Sequence, residues 1–132
     1  LHEISASVFI NSRREEKPKV RYSKPGHLSP TYARPICLFC SFDEKSVIRK
    51  NVYYYLSELK LAGFDIIFIS SSEMILDTEL KEFSKLYIRI IIRENRGYDF
   101  YGWKVGLQEY PQYHLHRALL LANDSVLGPF QY

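Results

Sequence analysis

Near the end of the chain an apolar run, Ala118-Leu119-Leu120-Leu121-Ala122, stops at Asn123-Asp124-Ser125 and then meets Gly128-Pro129. A strand that empties into a carboxylate and a turn can present a metal or nucleotide ligand, because ligands of open α/β sheets bind outside the carboxyl ends of the strands. A second run, Ile90-Ile91-Ile92, ends in the same way at Glu94-Asn95-Arg96-Gly97-Tyr98-Asp99. Two more apolar stretches run out at Ser41-Phe42-Asp43 and at Ser70-Ser71-Ser72. Parallel strands would bring these exits to one edge. Hydrogen-bonding groups of Ser41, Ser70, Ser71, Asn95 and Asn123 would then converge with the Arg96 cation and two carboxylates. That set suits the diphosphate of a nucleotide, with Phe42, Asp43, Gly97 and Asp99 completing a predicted nucleotide-sugar-binding surface.

Asp124 has two readings. An acidic residue at the end of a buried strand must be solvated by something. A divalent cation, Mg or Mn, bridging a diphosphate is one solution, since hard cations prefer carboxylate oxygens. The other is a turn residue whose side chain caps the backbone of Ser125 to Gly128. Asp99 is similarly double: it can cap the following helix, accept a hydrogen bond from a ligand, or do both.

Other patterns carry less. Gly97 and Gly102-Trp103-Lys104 approach the phosphate-loop spacing, but Trp103 intrudes before the lysine and Val105 replaces the metal-binding hydroxyl. The glycine-rich dinucleotide fingerprint is absent after the first strand. Cys37 and Cys40 form a Cys-x-x-Cys pair inside an apolar run, Pro35 to Cys40. Strand positions three apart face opposite sides of the sheet, so the pair reads as two core cysteines in a reducing, cytoplasmic compartment. His114 and His116 alternate without a nearby carboxylate and are expected to face solvent ahead of a strand. Asn123-Asp124-Ser125 is formally a glycosylation sequon, read as coincidence at a strand end.

The elements that would position the exits alternate regularly. The strands are expected at Ile36–Ser41, Asp65–Ser70, Tyr87–Arg93 and Arg117–Ala122. Between them the periodicity predicts helices over Lys45–Ala62 (Asp43 as N-cap, Gly63 as C-cap), Thr78–Leu86 (Asp77 as N-cap) and Phe100–Tyr110, the last closed by Pro111. Continuous apolar strands in a βαβαβαβ order argue a parallel α/β sheet covered by helices on both faces. The expected spatial order of its strands is third, second, first, fourth.

Residues 11–34, with Pro18, Pro25, Gly26 and Pro30, read as irregular, after a short strand at Ser7–Ile10. Residues 1–34 thus form an N-terminal arm, and 35–132 the α/β domain. Of the net charge of +3, the arm supplies the basic excess, with seven Lys/Arg against three Asp/Glu. Such an arm either touches phosphates and an anionic membrane surface or is a solvated linker. With 46% hydrophobic and 25% charged residues the chain reads as a globular domain, and no apolar run reaches the ~20 residues of a membrane-spanning helix. No nucleic-acid-binding motif is present, so nucleic acid is not an expected partner. The chain begins at Leu1 without an initiator Met, which points to a longer parent.

Three segments together resemble the rhamnan synthesis protein F family: Glu94-Asn95-Arg96-Gly97-Tyr98-Asp99-Phe100, Gly102-Trp103-Lys104-Val105-Gly106-Leu107, and Leu120 through Pro129. The resemblance spans roughly residues 35–130. It implies a bacterial glycosyltransferase (hexosyltransferase) of cell-surface polysaccharide synthesis, rhamnan or lipopolysaccharide type. Such proteins are similar to the GT-A class, whose nucleotide-binding half is a Rossmann-like βαβαβαβ unit with a metal-binding Asp-x-Asp after the fourth strand. Here that place holds a single carboxylate, Asp124. The implied partners are a nucleoside diphosphate sugar and a glycan acceptor, at the inner face of the cell membrane. The general base and acceptor site of that class follow the metal motif, so residues 1–132 are expected to be the donor-binding portion, inactive alone. The alternative is a non-catalytic α/β interaction module derived from such a domain.

Overall fold

The computed structural model describes residues 20–41, 50–71, 81–94 and 99–124. Five strands form one sheet: β1 (Val20–Pro25), β2 (Ile36–Ser41), β3 (Asp65–Ser70), β4 (Arg89–Arg93) and β5 (Leu119–Asn123), in the spatial order β1-β4-β3-β2-β5. Strands β4, β3, β2 and β5 are mutually parallel, in the order expected for the four apolar runs. The sheet is not purely parallel, however. β1 joins its edge antiparallel to β4, with Pro25 opposite Arg89.

Part of the stretch expected to be irregular is therefore a strand. Its sequence hides it because the register slips between Val20 and Tyr22, so that Arg21 is an extra residue. A bulge interrupts the period-two alternation that identifies a strand. The terminal Pro25 is tolerated because it lies on an edge. The short strand expected at Ser7–Ile10 lies outside the described residues.

Helices cover both faces. On one face α1 (Lys50–Leu61) places Val52, Tyr55 and Leu56 against Cys37, Phe39, Ile66 and Phe68. The spacing of three and four residues keeps these side chains on one stripe. The helix ends in a Schellman arrangement: Phe64 N donates to Leu59 O (3.0 Å), Gly63 N to Lys60 O (3.0 Å), and Gly63 takes a φ of 95°. That left-handed backbone favours glycine at this position. The N-terminal part of the predicted helix, with Asp43, Val47 and Ile48, lies outside the described residues, as do Asp77 and the start of the next helix; residues 81–83 are helical.

On the other face α2 (Asp99–Glu109) packs on Leu38, Cys40 and Ile69. It lies unusually close. A Cβ at Gly102 would sit 2.6 Å from Cys40 Sγ, and one at Gly106 would sit 2.6 Å from Ile69 Cδ1. Two glycines one turn apart thus offset their helix penalty of about 1 kcal/mol each by letting the helix backbone approach the sheet. Trp103 Nε1 donates to the carbonyl of Ala122 (3.0 Å), tying α2 to β5. Pro111 then opens a short 3-10 helix, Pro111–Leu115, rather than simply closing α2. Cys37 and Cys40 are buried thiols outside any disulfide and lie on opposite faces, as strand geometry requires. Burial pushes the Cys37 thiol well above its ordinary range, which keeps it protonated.

Candidate functional site

The parallel strands bring three of the four exits together at their carboxyl ends, within the described residues. Ser41 closes β2 and pairs with Ser70 at the end of β3, while Cys40 pairs with Asn123 of β5. Backbone hydrogen bonds continue the ladder past the strands. Ser71 N donates to Ser41 O (3.0 Å), and Asp124 N donates to Cys40 O (3.1 Å). These bonds fix Asp124 beside Ser41, whose hydroxyl donates to Asp124 Oδ2 (2.9 Å). The carboxylate is therefore oriented from across the strands, an arrangement that neither reading of the sequence included.

The place of this contact in the topology matters. The chain runs from β2 to β3 to β4 in one direction and then crosses to β5 on the far side of β2. The order reverses between β2 and β5, and a crevice outside such a switch point is where open α/β sheets bind ligands. Ser41 and Asp124 meet at that point, both half-buried. Ser70, Ser71 and Asn123 are buried behind them. Asp99 is the first residue of α2, its side chain outside the described residues; Phe42, Asp43, Asn95, Arg96 and Gly97 lie outside them altogether. Among the described residues no three His, Cys, Asp or Glu side chains cluster as a metal site.

Two buried cations escaped the sequence reading. Arg93, the last residue of β4, is buried and donates from Nη1 to the carbonyl of Glu94 (3.1 Å). A Cβ on Gly102 would lie 3.1 Å from Arg93 Nε and 3.3 Å from Nη2, so Gly102 makes room for the guanidinium under α2. The available signal was its position: a cation that closes the Ile90-Ile91-Ile92 run stands at the carboxyl end of the sheet. Lys104 is also buried, and its Nζ has no hydrogen-bond partner among the described residues. Gly102, Trp103 and Lys104 all lie inside α2, so the near-match to a phosphate loop forms no loop there.

A different polar cluster occupies the amino ends of the strands. Asp65 opens β3, is buried, and accepts a hydrogen bond from Thr31 N (2.6 Å). Arg34 Nη1 lies 3.9 Å and His116 Nδ1 lies 3.8 Å from its carboxylate. His116 is not solvent-facing, as its alternation with His114 suggested. The 3-10 turn after Pro111 carries it inward, where Nε2 meets Tyr110 Oη (2.7 Å) and Nδ1 meets the Arg34 carbonyl (3.1 Å). A carbonyl only accepts, so His116 Nδ1 donates to Arg34 O. Burial first, then the nearby Tyr32 hydroxyl and Asp65 carboxylate, push Tyr110 up to about 12. His114 is exposed, with Nδ1 2.6 Å from the Pro111 carbonyl.

The family described as Rhamnan synthesis protein F matches residues 66–132, just over half of the chain. The chain belongs to the rhamnan synthesis protein F family. The matched span starts inside β3 and takes in β4, α2, β5 and Asp124, and so includes the carboxyl-end exits of three strands. Membership implicates the protein in the synthesis of rhamnan-type polysaccharide. No curated protein and no solved structure gives a significant match to the chain. No helix among the described residues of this family member is long and apolar enough to cross a membrane.

Proposed function

We propose that the switch-point edge binds the diphosphate of a nucleotide sugar, and that this chain is the donor-binding part of a glycosyltransferase in polysaccharide synthesis. The observation that carries the reading is the Ser41–Asp124 contact at the crossover between β2 and β5, the place where open α/β sheets take nucleotides. Family membership supplies the polysaccharide context.

The donor set fits a divalent cation of the Mg or Mn kind. Such ions are commonly held by one or two carboxylates plus substrate phosphates, so a single Asp124 suffices when the diphosphate supplies the other oxygens. A bound cation would neutralise charge on the departing diphosphate. In this reading the Ser41 hydroxyl holds Asp124 in orientation, and Arg96, which follows β4 in sequence, would add a second positive charge for the phosphates. Asn95, Gly97, Asp99 and Asn123 are assigned to the same binding surface. The glycan acceptor would approach from beyond it, with the protein at the inner membrane face.

A thermal-shift panel of UDP, dTDP and GDP tests the reading. A ligand at a hundred times its dissociation constant stabilises by about 2.7 kcal/mol, a readily visible rise in Tm. A rise with one of the three is expected. No rise with any at millimolar concentration would instead favour a non-catalytic interaction module.

A further inference from the structure

At the opposite edge of the sheet, where β1 runs out beside the start of β4, a groove of about 580 Å³ opens to solvent. Its position follows from the register. β1 is antiparallel to β4, so Lys24 and Pro25 lie next to Ile90 and Arg89, at the amino end of the parallel strands. The groove therefore shares no residue with the edge that carries Ser41 and Asp124.

Its walls bear Lys24, His27 and Lys81, and no carboxylate lines it among the described residues. The Lys24 ammonium sits 5.3 Å from the centre of the Tyr22 ring. Neither lysine nor the His27 ring is ion-paired to a described residue. Glu82, next to Lys81 in sequence, is exposed and does not line the groove. Lys60 differs from these cations: its Nζ donates to the Lys85 carbonyl (3.1 Å), outside the groove.

The backbone that holds the cations is well tied. Gly26 N donates to Ile88 O and His27 N to Ser84 O, both at 2.8 Å. Ser84 Oγ donates to Lys81 O (2.7 Å). Gly26 lies directly on Tyr87, where any Cβ would collide with the Tyr87 carbonyl and ring. Burial, followed by the neighbouring Tyr22, pushes the Tyr87 hydroxyl up to about 12, so the floor adds no negative charge near neutral pH.

We propose that this groove is an anion site for a phosphate group, held between Lys24 and Lys81 with His27 beside them. Like charges brought together without a counter-charge repel, and a multiply charged anion relieves that repulsion more than a single carboxylate does. Lysine binds phosphate as a point charge and needs no fixed planar geometry. The open, polar shape admits a phosphate that projects from a larger molecule, either a soluble phosphate ester or the headgroup of an anionic phospholipid.

The experiment follows the amide signals of Gly26, His27 and Ser84 by nuclear magnetic resonance while inorganic pyrophosphate is added. Co-sedimentation with vesicles of phosphatidylcholine, alone or mixed with phosphatidic acid, forms the second arm. The three amides are expected to shift, and the exposed double variant Lys24→Gln/Lys81→Gln should bind about tenfold more weakly. Lys60→Gln should bind as the wild type does, and the shifting amides lie at the opposite end of the sheet from Ser41 and Asp124, which separates this site from the donor edge. Acid-dependent sedimentation lost in the double variant identifies a headgroup; pyrophosphate shifts without sedimentation identify a soluble phosphate. Absence of both, or binding that the double variant leaves intact, would overturn the proposal.

Discussion

Each end of the sheet holds an aspartate at a strand terminus, and the two are treated differently. At the amino end Asp65 is 3% exposed and faces Thr31 N, Arg34 and His116, with His116 in turn bonded to Tyr110. At the carboxyl end Asp124 is half-buried and is oriented by the Ser41 hydroxyl of the neighbouring strand. The first cluster spends its donors on closing the fold: it clamps the turn at residues 31–34 over the starts of β2 and β3, where Asp65 N also donates to Pro35 O. The second leaves a half-buried carboxylate at the switch point, where we propose that a ligand reaches it. An acid enclosed by its own chain stabilises structure; the proposal gives the acid at the switch point a role in binding.

Substitutions at the two ends should therefore separate stability from binding. The largest effect is expected from Asp65→Ala, which leaves the Thr31 amide and the buried His116 ring without their carboxylate. A loss of about 3 kcal/mol in urea-induced unfolding is expected. A cost below about 1 kcal/mol would show that the amino-end cluster does not clamp the fold.

Tyr110→Phe should cost less, about 1 kcal/mol, because it removes one hydrogen bond to His116. It also changes the response to alkali. Tyr110 is raised in the folded state, so its contribution is complete below pH 10 and is lost as pH rises through about 12. Unfolding free energies measured from pH 9 to 12 should fall for the wild type and fall less steeply for Tyr110→Phe. Equal slopes would remove Tyr110 from the buried cluster.

Ser41→Ala is expected to have the smallest effect on stability, under about 0.5 kcal/mol, since its bond to Asp124 is part-buried. The same variant should still weaken nucleotide binding, because Asp124 loses its orienting donor. A large stability loss with unchanged binding would make the carboxyl end a second structural clamp and dissolve the contrast.

Much of this architecture was legible in the sequence. The four parallel strands are apolar between their ends because both faces are covered, and β3 is buried along its whole length. Gly63 marked the end of α1 through its left-handed backbone. β1 was illegible: it is an edge strand with a bulge at Arg21, and its mostly exposed residues show no alternation. The site was legible in part. Strand exits named Ser41 and Asp124 before their contact could be known, but a serine at a strand end gives no sign that it is buried, as Ser70 and Ser71 are. His116 misled because two alternating histidines suggest an extended segment, whereas a 3-10 turn rotates the second into the protein. Arg93 and Lys104 hid for another reason: tertiary packing against α2, not local pattern, buries a cation.

Asp124 is proposed as a binding residue rather than a turn residue. Calorimetric titration of the wild type and Asp124→Asn with a nucleoside diphosphate, with and without manganese, addresses that directly. An asparagine still accepts the Ser41 hydrogen bond but carries no charge for a cation. The wild type is predicted to bind more tightly in manganese, and Asp124→Asn to lose that gain while unfolding at nearly the same denaturant concentration. Identical affinities of the two proteins in manganese would contradict a metal-binding role for Asp124.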